Sequence, residues 1–133
     1  YAELSIAAKL IIDKYLPGPL TILVKVKANI PGYVTHNTGI IGIRVAPTEE
    51  LANLITLVEK PLLVPSANIS GEKPALNATE VKEIFGDEID FVLEGEAHIG
   101  KATTIVSLSN ENPELIREGP IDFIDIVRTA KGE

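Results

Sequence analysis

A helix-period segment stops at a run of turn residues and gives way at once to a strand-period one, and this switch constrains the fold more than any other feature. Over residues 2–16, Leu4, Ala8, Ile11, Ile12 and Tyr15 recur on one side at helical spacing, with Lys9 and Lys14 opposite. Pro17-Gly18-Pro19 ends that helix, because the residue before a proline is pushed out of the α region. From Leu20 to Val26 the pattern alternates, with Leu20, Ile22, Val24 and Val26 on one face and Thr21 and Lys25 on the other. A helix that hands over so directly to a half-buried strand points to an α/β architecture.

The rest of the chain keeps mixing the two periods. Residues 28–39 are rich in Asn, Gly and Pro and predict a long loop, with His36 as a solvated member. Ile40 to Ala46 predicts a central strand carrying one charge, Arg44. Thr48 can cap a helix to about Glu59, with Leu51, Leu54, Ile55 and Val58 inward. Pro61-Leu62-Leu63-Val64 reads as a buried strand, and Asn77-Ala78-Thr79-Glu80 as a capping box for a helix that buries Val81, Ile84 and Phe85 and stops at Gly86. Phe91-Val92-Leu93, Thr104 to Leu108 and Leu115-Ile116-Arg117 predict short strands. Ile121 to Thr129 fits a strand or a helix equally. Hairpin-like spacing near the C-terminus implies a mixed sheet, and 133 residues without an internal repeat or linker imply a single domain over 1–133.

Composition then excludes several function classes. The longest apolar runs are broken by Lys, Pro or Gly, so no membrane span is expected. No export leader is recognisable, and the absence of Cys removes disulfides, thiolate catalysis and cysteine metal sites, which fits a cytoplasmic setting. With His only at 36 and 98, a His-rich metal site is not expected either. A net charge of −7, with Arg only at 44, 117 and 128, argues against a general nucleic-acid binder. The chain starts at Tyr1 and has no Met, so a processed or trimmed portion is expected.

Two features carry potential chemistry. The first is the loop Pro65-Ser66-Ala67-Asn68-Ile69-Ser70-Gly71, in which Pro65 ends a ladder, Gly71 permits a turn, and Ser66, Asn68 and Ser70 offer donors and acceptors. Such residues can wall a pocket, or simply satisfy their own turn. The second is Arg44, a permanent charge in an apolar strand. It calls for either a carboxylate partner in the chain or a carboxylate or phosphate on a ligand. No nucleophile–base pair, nucleophile elbow or phosphate-cradling P-loop is present.

The segment Pro61 to Gly71 resembles the signature loop of the YrdC/Sua5 family, whose members make threonylcarbamoyl-adenylate for tRNA modification. Four further stretches are similar to family motifs in the same order. They are Leu16-Pro17-Gly18-Pro19-Leu20-Thr21, Gly42-Ile43-Arg44-Val45, Lys101-Ala102-Thr103-Thr104-Ile105-Val106 and Ile116-Arg117-Glu118-Gly119. The resemblance implies a YrdC-like twisted mixed parallel/antiparallel sheet with flanking helices. It also implies an L-threonylcarbamoyladenylate synthase using threonine, bicarbonate and ATP, with Mg2+ held by the nucleotide phosphates. By the same resemblance Arg44, Ser66 and Thr103 bind threonine, and Asn68 and Arg117 bind the nucleotide. Thr103 replaces the family's usual Ser and keeps its hydroxyl. Without the resemblance, Arg117 reads as a surface pair with Glu114 or Glu118.

Ile40 and Leu76 depart from the pattern, since each stands where the family often has Thr. The family's N-terminal Thr-Val-Tyr-Gly-Leu and Lys-x-Arg segments have no counterpart here. Two other readings stay open: the YrdC-like module of a hydrogenase-maturation carbamoyltransferase, or a non-catalytic module binding RNA or a tRNA-modification partner protein.

Overall fold

A computed structural model describes residues 1–27, 29–45, 47–95 and 102–133. Ala28, Ala46, His98 and Lys101, each part of an expectation above, lie outside them. The chain clusters into two compact units, Tyr1–Glu59 with Lys101–Glu133, and Lys60–Gly100.

In the first unit, helix α1 spans Ile6–Tyr15. It starts later than the periodicity predicts because Ser5 caps it, its Oγ accepting from the Ala8 amide at 3.1 Å, while Ala2 bridges to Val26. Leu16 is extended (φ −118°, ψ 138°), as Pro17 demands. Strand β1 (Leu20–Lys25) follows, then β2 (Ile40–Ile43), α2 (Glu49–Val58), β3 (Thr104–Ser107), β4 (Glu114–Arg117) and α4 (Phe123–Ala130). The stretch 121–129, open on periodicity, is thus mostly helical, from Phe123 onward, capped by Asp122 through the Ile124 amide at 2.8 Å.

The sheet runs β2-β1-β3-β4, with β1 and β3 parallel and the outer pairs antiparallel. Leu20, Ile22 and Val24 of β1 and Val106 of β3 are fully buried on one face, against Ala8 and Ile11 of α1 and Ile126 of α4. Each of the Leu, Ile and Val side chains contributes roughly 1.5–3 kcal/mol by leaving water. Thr129 of α4 ties the two helices together, accepting from Lys14 Nζ at 2.9 Å and lying 3.2 Å from the Tyr15 hydroxyl. Buried Thr104 donates to the Ile121 carbonyl at 3.0 Å and accepts from the Ile121 amide at 3.0 Å, fixing the approach to α4.

Three expectations change. The strand bearing Arg44 ends at Ile43 and is an edge strand rather than a central one, so Arg44 falls past its end and is exposed. Helix α2 buries none of its residues, Leu57 being 82% exposed; the Thr48 cap and acidic Glu49 and Glu50 at its positive end support it locally. Residues 61–64 and 91–93 form no strand: apolar content makes no ladder without a partner strand, and among the described residues neither has one.

In the second unit Asn77 caps α3 (Ala78–Phe85) as expected, but the reciprocal bond from Glu80 goes one residue further back than in a standard capping box. Asn77 Oδ1 accepts from the Glu80 amide at 2.9 Å, and the Glu80 carboxylate reaches back to the Leu76 amide at 2.7 Å. The helix stops at Gly86, with Val81, Ile84 and Phe85 half-buried.

Candidate functional site

The sheet face opposite the helices carries the first unit's chemistry. Alternation turns Thr21 and Leu23 away from the core. The register pairs Leu23 with Gly42 and Ser107, Thr21 with Ile105, and Ile105 with Arg117. At one end of the sheet β1 and β3 begin while β2 and β4 finish. Arg44 follows directly on the last pair, Ile22–Ile43, at the end of the sheet where Thr21 lies. Arg44, Thr21, the Thr103 entry to β3 and Arg117 thus stand in strand order across that end. Three strand spacings separate the first from the last, about 14 Å.

Arg117 reaches this face through an irregularity. Along β3 the pairing moves one residue, from Ile105 to Val106, while along β4 it moves two, from Arg117 to Leu115. The extra residue is Ile116, a bulge that reverses the alternation; Leu115 packs on the core, and Arg117 comes out on the other side.

The guanidinium is then committed. Nε and Nη2 donate to the Thr103 carbonyl at 3.0 and 2.9 Å, and Nη2 also donates to Thr103 Oγ1 at 3.0 Å. Thr103 Oγ1 lies 3.0 Å from Thr21 Oγ1 and completes a hydroxyl pair across β1 and β3. The turn behind Arg117 holds this arrangement. A Cβ on Gly119 would sit 2.6 Å from the Thr103 carbonyl carbon and closer still to the Thr104 amide nitrogen, so only glycine lets the backbones meet. Among the described residues no carboxylate pairs with Arg117, and its Nη1 has no partner. The surface pairs with Glu114 or Glu118 are thus not formed. One edge of the side chain serves Thr103, and the other nitrogen remains available.

Arg44 is exposed and has no carboxylate partner among the described residues. No ion pair among the described residues accounts for its charge. A depression lined by Lys25, Lys27, Thr35, Asn37, Gly39 and Asn110 lies at the opposite end of the sheet; Ile40 also lines it, but it holds none of the residues assigned to threonine or the nucleotide.

In the second unit the Ser66–Gly71 loop closes on itself. The Asn68 amide donates to the Ser66 carbonyl at 3.0 Å, and Asn68 Nδ2 donates to the carbonyls of Ile69 and Glu72 at 2.8 and 3.1 Å. Both side-chain protons being spent, Asn68 keeps only an acceptor, Oδ1, which is buried and has no partner among the described residues. Gly71 adopts φ +89°, with open space around its α-carbon; backbone preference rather than a clash calls for glycine there. Ser66 and Ser70 are exposed. Of the departures from the pattern, Ile40 is a half-buried member of β2 opposite Lys25, and the Leu76 amide is taken up by Glu80.

Sequence reasoning missed Thr21 as part of the site. A Thr on the outer face of a strand is ordinary, and only the register with β3 brings its hydroxyl to Thr103.

The first unit is thus a mixed sheet with helices on one face and cationic and hydroxyl groups at one end. The Sua5/YciO/YrdC family model, described under telomere recombination, matches residues 1–119, and the chain belongs to that family. A Methanocaldococcus jannaschii protein provisionally named threonylcarbamoyl-AMP synthase is 37% identical over 129 residues, 96% of this chain and 60% of that protein. The threonylcarbamoyl-AMP synthase of Pyrococcus abyssi is 31% identical, covering 93% of this chain and 37% of its own length. The chain therefore spans less than two thirds of the length of each of these relatives. Among solved structures, Pyrococcus abyssi Sua5 complexed with L-threonine superposes with a TM-score of 0.86 at 30% identity, over 96% of this chain and 38% of that one. Escherichia coli YciO shares the fold with a TM-score of 0.83 at 22% identity, over 96% and 62% of the two chains.

Proposed function

We propose that this chain is part of an L-threonylcarbamoyladenylate synthase, which makes threonylcarbamoyl-AMP and pyrophosphate from threonine, bicarbonate and ATP for t6A modification of tRNA. The observation that carries the reading is the row at one sheet end: exposed Arg44, the hydroxyls of Thr21 and Thr103, and Arg117 with one free nitrogen. In a chain of net charge −7, two guanidinium groups there select for anions, and all three substrates carry anionic oxygens.

The chemistry asks for positioning rather than a protein nucleophile. The threonine amine attacks the bicarbonate carbon, a C–N bond forms and water leaves. An oxygen of the resulting carbamate attacks the α-phosphorus of ATP, and the bond to the β-phosphate breaks as pyrophosphate departs. Arg44 would clamp the threonine carboxylate and Thr103 would bond the same substrate, while Arg117 Nη1 would meet phosphate. Ser66 and Asn68 are assigned to threonine and nucleotide from their motif. With both Nδ2 protons engaged, Asn68 would accept from a ribose hydroxyl or an adenine amine rather than donate to phosphate.

Among the described residues no three His, Asp or Glu side chains gather to hold a metal ion. Magnesium would enter on the nucleotide phosphates and neutralise their charge. Among the described residues no helix is long and apolar enough to cross a membrane. A cytoplasmic setting, where a tRNA-modifying protein would take over the adenylate, belongs to the same proposal.

The test uses the whole protein and measures pyrophosphate release. Release that requires threonine and bicarbonate together supports the reading. Release that ignores threonine, or feeds on carbamoyl phosphate, refutes it in favour of a carbamoyltransferase module. Binding of neither ATP nor threonine refutes it in favour of a non-catalytic one.

A further inference from the structure

Thr103 Oγ1 has one proton and two acceptor positions, and the structure surrounds it with more than one partner. Arg117 Nη2, which can only donate, takes one acceptor position at 3.0 Å. The Thr21 hydroxyl lies 3.0 Å away on the neighbouring strand, and Thr103 is its one hydrogen-bond partner among the described residues. If Thr21 donates, both acceptor positions of Thr103 are filled, and the Thr103 proton is left as its single free valence. If Thr103 donates to Thr21 instead, its proton is used up and it can only accept. Thr21 therefore decides the sense in which Thr103 meets a ligand. The arginine beside Thr103 biases the choice, since it attracts anions to this end of the sheet, and an anion needs a donor.

We propose that Thr21 is a positioning residue: by donating to Thr103 Oγ1 it works with Arg117 to present the Thr103 hydroxyl as an obligate donor to an anionic oxygen of the substrate, a carboxylate in the reading above. The inference rests on that reading for the identity of the ligand. Its core, a hydroxyl oriented by two donors from flanking strands, is a matter of geometry. It also explains why a threonine occupies β1 between fully buried Leu20 and Ile22. At that place valine would serve the strand equally well.

The test compares Thr21→Val, Thr21→Ser and Thr103→Val in the whole protein, with KM for threonine and for ATP measured separately. Valine keeps the branched shape and removes the hydroxyl, so folding is preserved, and Thr21→Ala covers the case in which valine packs badly. One neutral hydrogen bond lost through an intermediary should raise KM for threonine about 3- to 10-fold. KM for ATP should stay within twofold, Thr21→Ser should restore the parent value, and Thr21→Val should add nothing in a Thr103→Val background. If Thr103→Val raises KM for threonine while Thr21→Val leaves it unchanged, the positioning role is overturned and the substrate assignment stands. If Thr103→Val itself leaves it unchanged, the assignment of Thr103 to threonine falls and the inference falls with it. Equal rises in both KM values that serine does not reverse would mark Thr21 as a packing residue only.

Discussion

Replacing Arg44 by Ala separates a ligand-directed guanidinium from a structural one. Arg44 is exposed, lies beyond the end of an edge strand and has no carboxylate partner among the described residues. Its removal strands no buried charge among the described residues, so the stability change should stay within about 0.5 kcal/mol, as for surface positions generally. At about 2–8 °C per kcal/mol, that moves the melting temperature by less than about 4 °C. A structural arginine with a buried partner would instead cost about 3–5 kcal/mol. Loss of a charge-assisted bond to a carboxylate is worth about 1.5–3 kcal/mol, so KM for threonine should rise roughly 10- to 150-fold. Thermal unfolding of the variant and its threonine-dependent pyrophosphate release, both in the whole protein, give the two readings. A fall in melting temperature beyond about 6 °C with unchanged KM for threonine would refute the reasoning and make Arg44 a structural residue.

Gly119→Ala should displace the backbone at 102–104, because its Cβ has no space beside the Thr103 carbonyl carbon; a loss of about 1–3 kcal/mol and a raised KM for threonine are expected, checked by chemical denaturation and kinetics. Ile126→Ala, which empties a fully buried position of α4, should cost about 2–5 kcal/mol in the same denaturation assay with KM for threonine unchanged in the folded fraction.

The core was legible because alternation in Leu20–Val24 and the helical spacing of Ala8 and Ile11 are local patterns that burial enforces. The cap at Asn77 was legible for the same reason, its partners lying three residues apart. Apolar stretches without a partner strand were not: Leu63 and Val64 carry a strand's composition but are 72% and 80% exposed. The site itself was half legible. Arg44 stood out as a charge beside apolar residues, although its place at a sheet edge followed from strand order, which periodicity does not encode. Regular alternation would have sent Arg117 to the core side with Leu115, and only the bulge at Ile116 turns it toward Thr103. Thr21 gains its meaning from a hydroxyl 82 residues away in sequence.

The pleat divides two neighbouring, chemically identical side chains between unrelated duties. Thr103 offers its oxygen to the outer face, where the methyl group has no assigned task, so serine is an acceptable replacement. Thr104 points inward with no exposed surface, its hydroxyl spanning both backbone groups of Ile121 and its methyl filling space in the core. Serine there would keep the bonds and open a void, and valine would fill the void and orphan two buried polar groups. Adjacent codons for the same amino acid should thus be under different selection, the first free to drift to serine and the second held as threonine. Divergence among relatives should accordingly be uneven across this pair.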